Sequence, residues 1–451
     1  MVSWLSRKTV VASAAIALGL GLSACGGGGG SDSGSGSAQK FDPNKKVTIT
    51  FWSGFTSREL RLLNGVVADF EKKFPNVTVN SVGGINDDKI TAAIRGGNAP
   101  DVALSFSSDN TGAFCSSGAW IDLQPYIDRD NVDIGAFPKA VQEYTEYQGT
   151  RCAMPLLADD YGLYYNKDLF AKAGITSPPK TISELTADAK KLTQRSSDGS
   201  IEVAGYVPSD SFYESVPAHY APQWNAQWFD GNKSAVASDP AWSDYLRWSK
   251  GLIDWYGSSD LTKFEAGAGA EFSASNAFEN GKIAMMIDGE YRTAFIKAEH
   301  PELNYGTAPF PVADNLKNRY GAGYVTGSIV GIPKGSSNEG AAWELIKYLT
   351  TNPTALAKLG SGLANVPTTQ AAANSPEFKP PAHFAPFLKI FSNKYTQTNP
   401  MKASGAAYQE LFQSFVDKWE AGDVSDLHSG LSDTASQIDA QEANAAGGGP
   451  P

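Results

Sequence analysis

Flat aromatic rings set beside Asp, Asn and Gly in polar stretches are the residues of this chain best suited to chemistry. A ring so placed offers an apolar face to a sugar, and nearby carboxylates and amides exchange hydrogen bonds with its hydroxyls. The 451 residues include ten Trp and eighteen Tyr, and most large rings in any chain fill cores. Trp52 and Phe106 stand out because each follows a β-rich run, although Phe106 suits core packing equally well. Asp109 is placed either to accept from hydroxyls or to cap a helix N-terminus. Trp224 and Trp228 lie in Ala221-Pro222-Gln223-Trp224-Asn225-Ala226-Gln227-Trp228, a loop too polar and too broken by proline for a plain core segment. At least one of these two rings is expected on ligand. Covalent and metal chemistry find less support: no nucleophile motif, zinc signature or P-loop occurs, and residues 128–135 miss the spacing and closing Glu of a calcium loop. The expectation is a binding site with neither metal nor cofactor.

The start of the chain speaks for export. A basic beginning with Arg7 and Lys8 leads into an apolar stretch too short and too rich in Gly and Ala for a comfortable membrane span, closed by Leu22-Ser23-Ala24-Cys25. Those four residues resemble the lipobox of bacterial lipoproteins. The resemblance implies a signal peptide over 1–24, lipidation of Cys25 and anchoring at the outer face of the cell membrane. Two or three acyl chains hold far better than one, since each buried methylene contributes about 0.8 kcal/mol. Residues 25–40 then have the composition of a flexible tether, with a reach on the order of 20 Å. The remaining cysteines, Cys115 and Cys152, have no His close in sequence, so an oxidising compartment favours a disulfide over a metal site. A formal net charge of -11 argues against nucleic acid or an anionic membrane surface as the main partner.

Holding such residues in place requires a scaffold, and the spacing predicts an α/β one. Val47-Thr48-Ile49-Thr50-Phe51-Trp52 reads as a first strand ending at a Ser53-Gly54 turn. Residues 58–74 read as a helix from the spacing of Leu63, Val66, Val67, Phe70 and Phe74, stopped by Pro75. A strand at 77–79, a short helix at 88–95 and a third strand at 102–104 follow. This alternation begins a parallel sheet, in which ligands sit at the carboxyl ends of strands. Trp52, Ser53, Phe55 and residues 105–109 fall at those ends. The length suits two domains or one two-lobed body.

Six segments carry a resemblance over nearly the whole mature chain. They are Thr48-Ile49-Thr50-Phe51-Trp52, Gly96-Gly97-Asn98-Ala99-Pro100-Asp101-Val102, Gly118-Ala119-Trp120-Ile121-Asp122-Leu123, Tyr161-Gly162-Leu163-Tyr164-Tyr165-Asn166-Lys167-Asp168-Leu169-Phe170, Phe278-Glu279-Asn280-Gly281-Lys282-Ile283-Ala284-Met285 and Ala341-Ala342-Trp343-Glu344-Leu345-Ile346-Lys347-Tyr348-Leu349. In order and spacing they resemble the family 1 extracellular solute-binding proteins, the maltose-binding-like receptors of carbohydrate ABC importers. The resemblance implies a two-lobed periplasmic-binding-protein-like fold with ligand in the cleft between the lobes. Residues 41–157 and 326–367 would form the N-terminal lobe, 158–325 and 368–440 the C-terminal lobe, and 441–451 a disordered tail. Hinges would lie at 155–158, 324–327 and 366–369.

The resemblance also places Asp159, Asp160 and Tyr161 where the family carries an acidic group and often an aromatic one. Adjacent carboxylates on an extended chain point in different directions, so at most one of the two faces ligand. Gly289-Glu290-Tyr291-Arg292 stands where the family usually has Gly-x-Trp. Tyr291 then replaces the stacking ring, while Glu290 and Arg292 serve a more polar ligand or pair with each other. Gly323 and Tyr324 complete the set, because close backbone approach at a hinge favours Gly. The implied function is capture, without chemistry, of a mono- or oligosaccharide by a lipid-anchored extracytoplasmic monomer that delivers it to ABC transporter permease subunits. Two rival readings are a secreted glycoside hydrolase, with Asp159 and Glu290 roughly 5 to 10 Å apart across one sugar bond, and a binding protein for a non-sugar polar solute.

Overall fold

The computed structural model describes residues 38–447. The proposed signal segment, Cys25 and the tether as far as residue 37 lie outside the described residues. β1 (Val47–Trp52), β2 (Val77–Val82) and β3 (Val102–Ser105) are the three strands expected from the sequence, and both β2 and β3 lie parallel to β1. β4 (Met154–Asn166) is thirteen residues long. β5 (Gln194–Arg195) and β6 (Ile201–Tyr206) follow, then a separate hairpin of β7 (Phe229–Asp230) and β8 (Lys233–Ser234). β9 (Ile283–Gly289), β10 (Tyr305–Pro309), β11 (Val325–Gly331) and β12 (Val366–Pro367) complete the strands. The large sheet runs in the order β2-β1-β3-β11-β4-β9-β6-β5, with β10 and β12 also paired to β4. The α/β class is the one expected.

β4 is the strand that organises the molecule. Its sequence is almost continuously apolar and nearly all of it is buried, as a strand covered on both faces must be. Asp159 and Asp160 interrupt that run where its partners change. Up to Asp160 it pairs antiparallel with β11, and from Tyr161 onward with β9 and β10. β12 pairs with Leu157 and Ala158. The three segments expected to be hinges therefore lie side by side on β4.

Helices cover the sheet with the faces their sequences dictate. Ser57–Lys73 buries Leu63, Val66, Val67 and Phe70, each worth roughly 1.5–3 kcal/mol when fully removed from water. In helix Asp87–Arg95, the Asn86 side chain accepts from the Lys89 N–H at 3.1 Å, and Asp87 and Asp88 favour the positive end of the helix dipole. Cys115 and Cys152 form the expected disulfide, their Cα atoms 5.4 Å apart, joining helix Thr111–Ser116 to the approach to β4.

Three expectations are corrected. Residues 221–224 belong to helix Pro217–Trp224 and not to a loop, because burial of Pro217 to Gln223 outweighs the one hydrogen bond that Pro222 cannot donate. Residues 441–446 extend helix Leu427–Ala446, whose buried face carries Leu431, Thr434 and Ile438. Gln39, assigned to the tether, is bound to the body: its side chain accepts from the Gly340 N–H at 2.7 Å, and its backbone carbonyl accepts from Arg129. Among the described residues, no helix is long and apolar enough to cross a membrane.

Candidate functional site

The change of partners along β4 gathers carboxyl groups at one point. Alternation along the strand turns Asp159 and Asp160 to opposite faces. Asp160 is fully buried, whereas Asp159 keeps partial exposure. Glu290, in the turn after β9, is fully buried and accepts the Asp160 N–H at 2.9 Å. Asn365, immediately before β12, donates from Nδ2 both to Asp159 and, at 3.0 Å, to Glu290 Oε1. Burial pushes the Asp159 carboxyl up to about 6, against hydrogen bonds from Glu290 and Asn365 that favour its charged form. Burial, reinforced by the neighbouring carboxylates, holds Asp160 and Glu290 well above the usual carboxylate range.

Rings converge on the next residue. Tyr161 stacks on His219 with centroids 3.7 Å apart, lies 5.7 Å from Tyr324 and meets Tyr291 edge-on at 6.5 Å. His219 Nδ1 is 2.8 Å from the Glu214 carbonyl, and burial pushes the imidazole down to about 4, so it is neutral at physiological pH. The Tyr291 hydroxyl donates to the Glu214 carboxylate. Two glycines set ring positions: a Cβ on Gly289 would stand 2.3 Å from the Tyr291 ring, and one on Gly54 would stand 2.2 Å from Phe106. Phe106 is 47% exposed and packs edge-on against Phe55, so it lies outside the core.

Asp109 and Trp228 meet Tyr324 through Asn399. Its Nδ2 lies 2.9 Å from the Tyr324 hydroxyl and 3.3 Å from Asp109 Oδ1, and its Oδ1 accepts the Trp228 Nε1–H at 3.1 Å. Asp109 sits inside the short turn Ser108–Asn110, not at a helix cap, and burial raises its carboxyl. Trp228 is a core ring against Trp242, Tyr408 and Phe412, and Trp224 packs apart from it on Tyr245 and Trp248. Trp52 is half-buried at the end of β1, beside a buried Ser53 whose hydroxyl has no partner among the described residues. Gly323 makes its close approach to Ile390, whose Cγ2 would lie 2.7 Å from an added Cβ.

Arg292 departs furthest from expectation. It is fully buried and pairs with Asp288 at 2.7 Å, Glu271 at 3.2 Å and Glu279 at 3.3 Å, not with Glu290. Oxygens of Glu214, Glu271 and Asp288 lie within 4.8 Å of one another, and Arg292 is the cation that two of them hold. The exposed ring of Phe272 covers the guanidinium at 5.0 Å.

Sequence reasoning missed His219, Glu214, Asn365 and Asn399. A lone His inside a buried helix looks like any core His, and Asn365 reads as an ordinary residue after a helix C-cap. A groove of about 770 Å³ touches the cluster through Trp228, Tyr324 and Asn399, within the usual range for small-ligand sites. A second groove, of about 790 Å³, is lined by charges paired among themselves, including Lys139 with Glu143, Arg151 with Glu146 and Lys233 with Asp439. That pairing is characteristic of a solvated surface.

Residues 56–356 match the bacterial extracellular solute-binding protein family. The chain is 22% identical over 334 residues to the maltotriose-binding protein of Pyrococcus abyssi, covering 73% of this chain and 68% of that one. Against a binding protein of Brucella abortus, identity is 29% over 218 residues, about half the length of either chain. The sn-glycerol-3-phosphate-binding periplasmic protein of Yersinia pestis is 25% identical over 342 residues, covering 72% of this chain and 74% of that one. Among solved structures, CpMnBP1 with mannotriose bound superposes with a TM-score of 0.76 at 26% identity, covering 87% of this chain and all of that one. The chain belongs to the bacterial extracellular solute-binding protein family.

Proposed function

From membership of that family, we propose that this protein captures a mono- or oligosaccharide and delivers it to an ABC importer. The observation that carries the reading is the convergence of Tyr161, His219, Tyr291 and Tyr324 with the partly exposed Asp159, where β11 and β12 meet β4. Rings of this kind stack on sugar faces, and a carboxylate with free lone pairs accepts from hydroxyls. Phe272, its ring 6.1 Å from that of Tyr291, extends the apolar surface available to a longer ligand. Ligand bridging the two lobes shifts an open-closed equilibrium toward the closed form, which docks on permease subunits. Cys25, lipidated, holds this monomer at the outer face of the membrane within reach of the permease.

Two features favour binding of a neutral sugar without chemistry. The Asn365 amide donates to both Asp159 and Glu290, which are themselves hydrogen-bonded, where a glycoside hydrolase needs room for the scissile bond. Arg292, the cation next to Tyr291 in the chain, is fully buried and already engaged by three carboxylates, so it is not free to pair with a phosphate or carboxylate ligand. A thermal-shift screen checks the assignment: a bound sugar raises stability by RT ln(1 + [L]/Kd), about 2.7 kcal/mol at 100 times Kd. Stabilisation by maltotriose, mannotriose or a related sugar, with the sugar recovered intact, is expected. Stabilisation by glycerol 3-phosphate, amino acids or peptides, with no response to any sugar, would overturn it.

A further inference from the structure

Asn365 touches both carboxyl groups that matter at the site. Asp159 accepts side-chain hydrogen bonds from the Asn365 amide and from the Glu290 carboxyl. The other Nδ2 hydrogen of the same amide goes to Glu290 Oε1, whose second oxygen holds the Asp160 N–H. One side chain therefore ties three separate stretches: β4 through Asp159, the turn after β9 through Glu290, and the entry to β12. Ala364, at φ +59° in the left-handed region, makes the turn that delivers Asn365 there from the preceding helix. Among the described residues, no cation faces the pair. The titratable groups around Asp159 are Asp160, Glu290 and Glu214, with the hydroxyls of Tyr144, Tyr161 and Tyr324, and the nearby His219 is neutral. The amide is thus, with the Glu290 carboxyl, one of two neutral donors that favour the ionised form of Asp159.

We propose that Asn365 is a positioning residue of the ligand site, fixing the Asp159 carboxylate in its ionised form and leaving its remaining lone pairs to accept ligand hydroxyls. The ligand half of this statement rests on the carbohydrate reading above; the Asp159 half does not. Replacing the donor with a side chain of similar size that cannot donate makes the charged form of Asp159 costlier and extends its protonation toward neutral pH. Replacing it with a longer amide keeps the donor.

The test uses Asn365→Leu and Asn365→Gln with two readouts. The first needs no ligand: Tm of each protein is measured from pH 5 to pH 8.5. The deficit of Asn365→Leu is expected to grow as pH rises, since a protonated Asp159 tolerates loss of the donor and an ionised one does not, and Asn365→Gln should recover part of it. A deficit equal at every pH in both variants would reduce Asn365 to a packing residue and overturn the proposal. The second readout is calorimetry with mannotriose and maltotriose as probes. Where a probe binds the wild type, Asn365→Leu should bind about tenfold more weakly at pH 7 and regain affinity toward pH 8.5. Affinity equal to wild type throughout would also overturn it. If no sugar binds even the wild type, the carbohydrate reading fails, while the stability profile still decides the role of Asn365 toward Asp159.

Discussion

Asp159, Asp160 and Glu290 stand within a few bonds of one another, yet only Asp159 retains contact with solvent. Its carboxyl, raised to about 6 by burial, is near 3.9 in an unfolded chain. The folded state therefore prefers the protonated form, and the stability this group contributes is lost as pH rises from about 4 through about 6. At neutral pH the carboxylate is a stability cost, which the proposed role in ligand binding would account for. Asp159→Asn should raise stability by about 1–2 kcal/mol at pH 8 and by little at pH 4.5, while abolishing sugar binding. Scanning calorimetry at the two pH values checks this, and a gap independent of pH would contradict the assignment. Arg292 behaves oppositely: Arg292→Met leaves Asp288, Glu271 and Glu279 facing one another in the interior. A loss of about 3–5 kcal/mol in urea unfolding is expected. The chain's own sequence suggested Glu290 as its partner because the two are close in sequence. The strand end at Gly289 instead turns Glu290 toward β4, while Arg292, at the start of helix Arg292–Glu299, reaches back to Asp288.

At the scale of elements, β1, β2 and β3 were legible because their apolar runs and punctuation are local. The three crossing segments were readable only through a resemblance, and the registers that bring them together depend on pairings between residues more than 150 positions apart. The helix Pro217–Trp224 was missed because its tertiary burial overrides what proline and polar neighbours suggest locally. A non-local contact also places Tyr291, whose hydroxyl donates to Glu214, while its ring lies against the neighbouring Gly289. Gly289→Ala should displace that ring and weaken sugar binding about tenfold, with far-UV circular dichroism unchanged; undiminished affinity would show that the ring position is immaterial. The bridge between Cys115 and Cys152 closes a loop whose loss should lower stability by about 3–4 kcal/mol in the chain-entropy treatment. The double Cys→Ser variant in urea checks that value.

For the whole molecule, the proposal is that capture and delivery share one device: a strand common to both lobes, with ligand contacts at the residues where its partners change. A sheet joined this way is expected to bend where β11 gives way to β9, since few backbone pairings cross that step. Ligand that contacts both sides then stabilises the closed form by its differential affinity for it. The most direct measurement is isothermal titration of the wild-type protein against mannotriose, maltotriose and a wider panel of mono- and oligosaccharides, with Tyr291→Ala run alongside. A micromolar or tighter Kd for at least one sugar, weakened severalfold or more in the folded variant, is the predicted result. Absence of binding across the panel, or equal affinity in wild type and Tyr291→Ala, would contradict it.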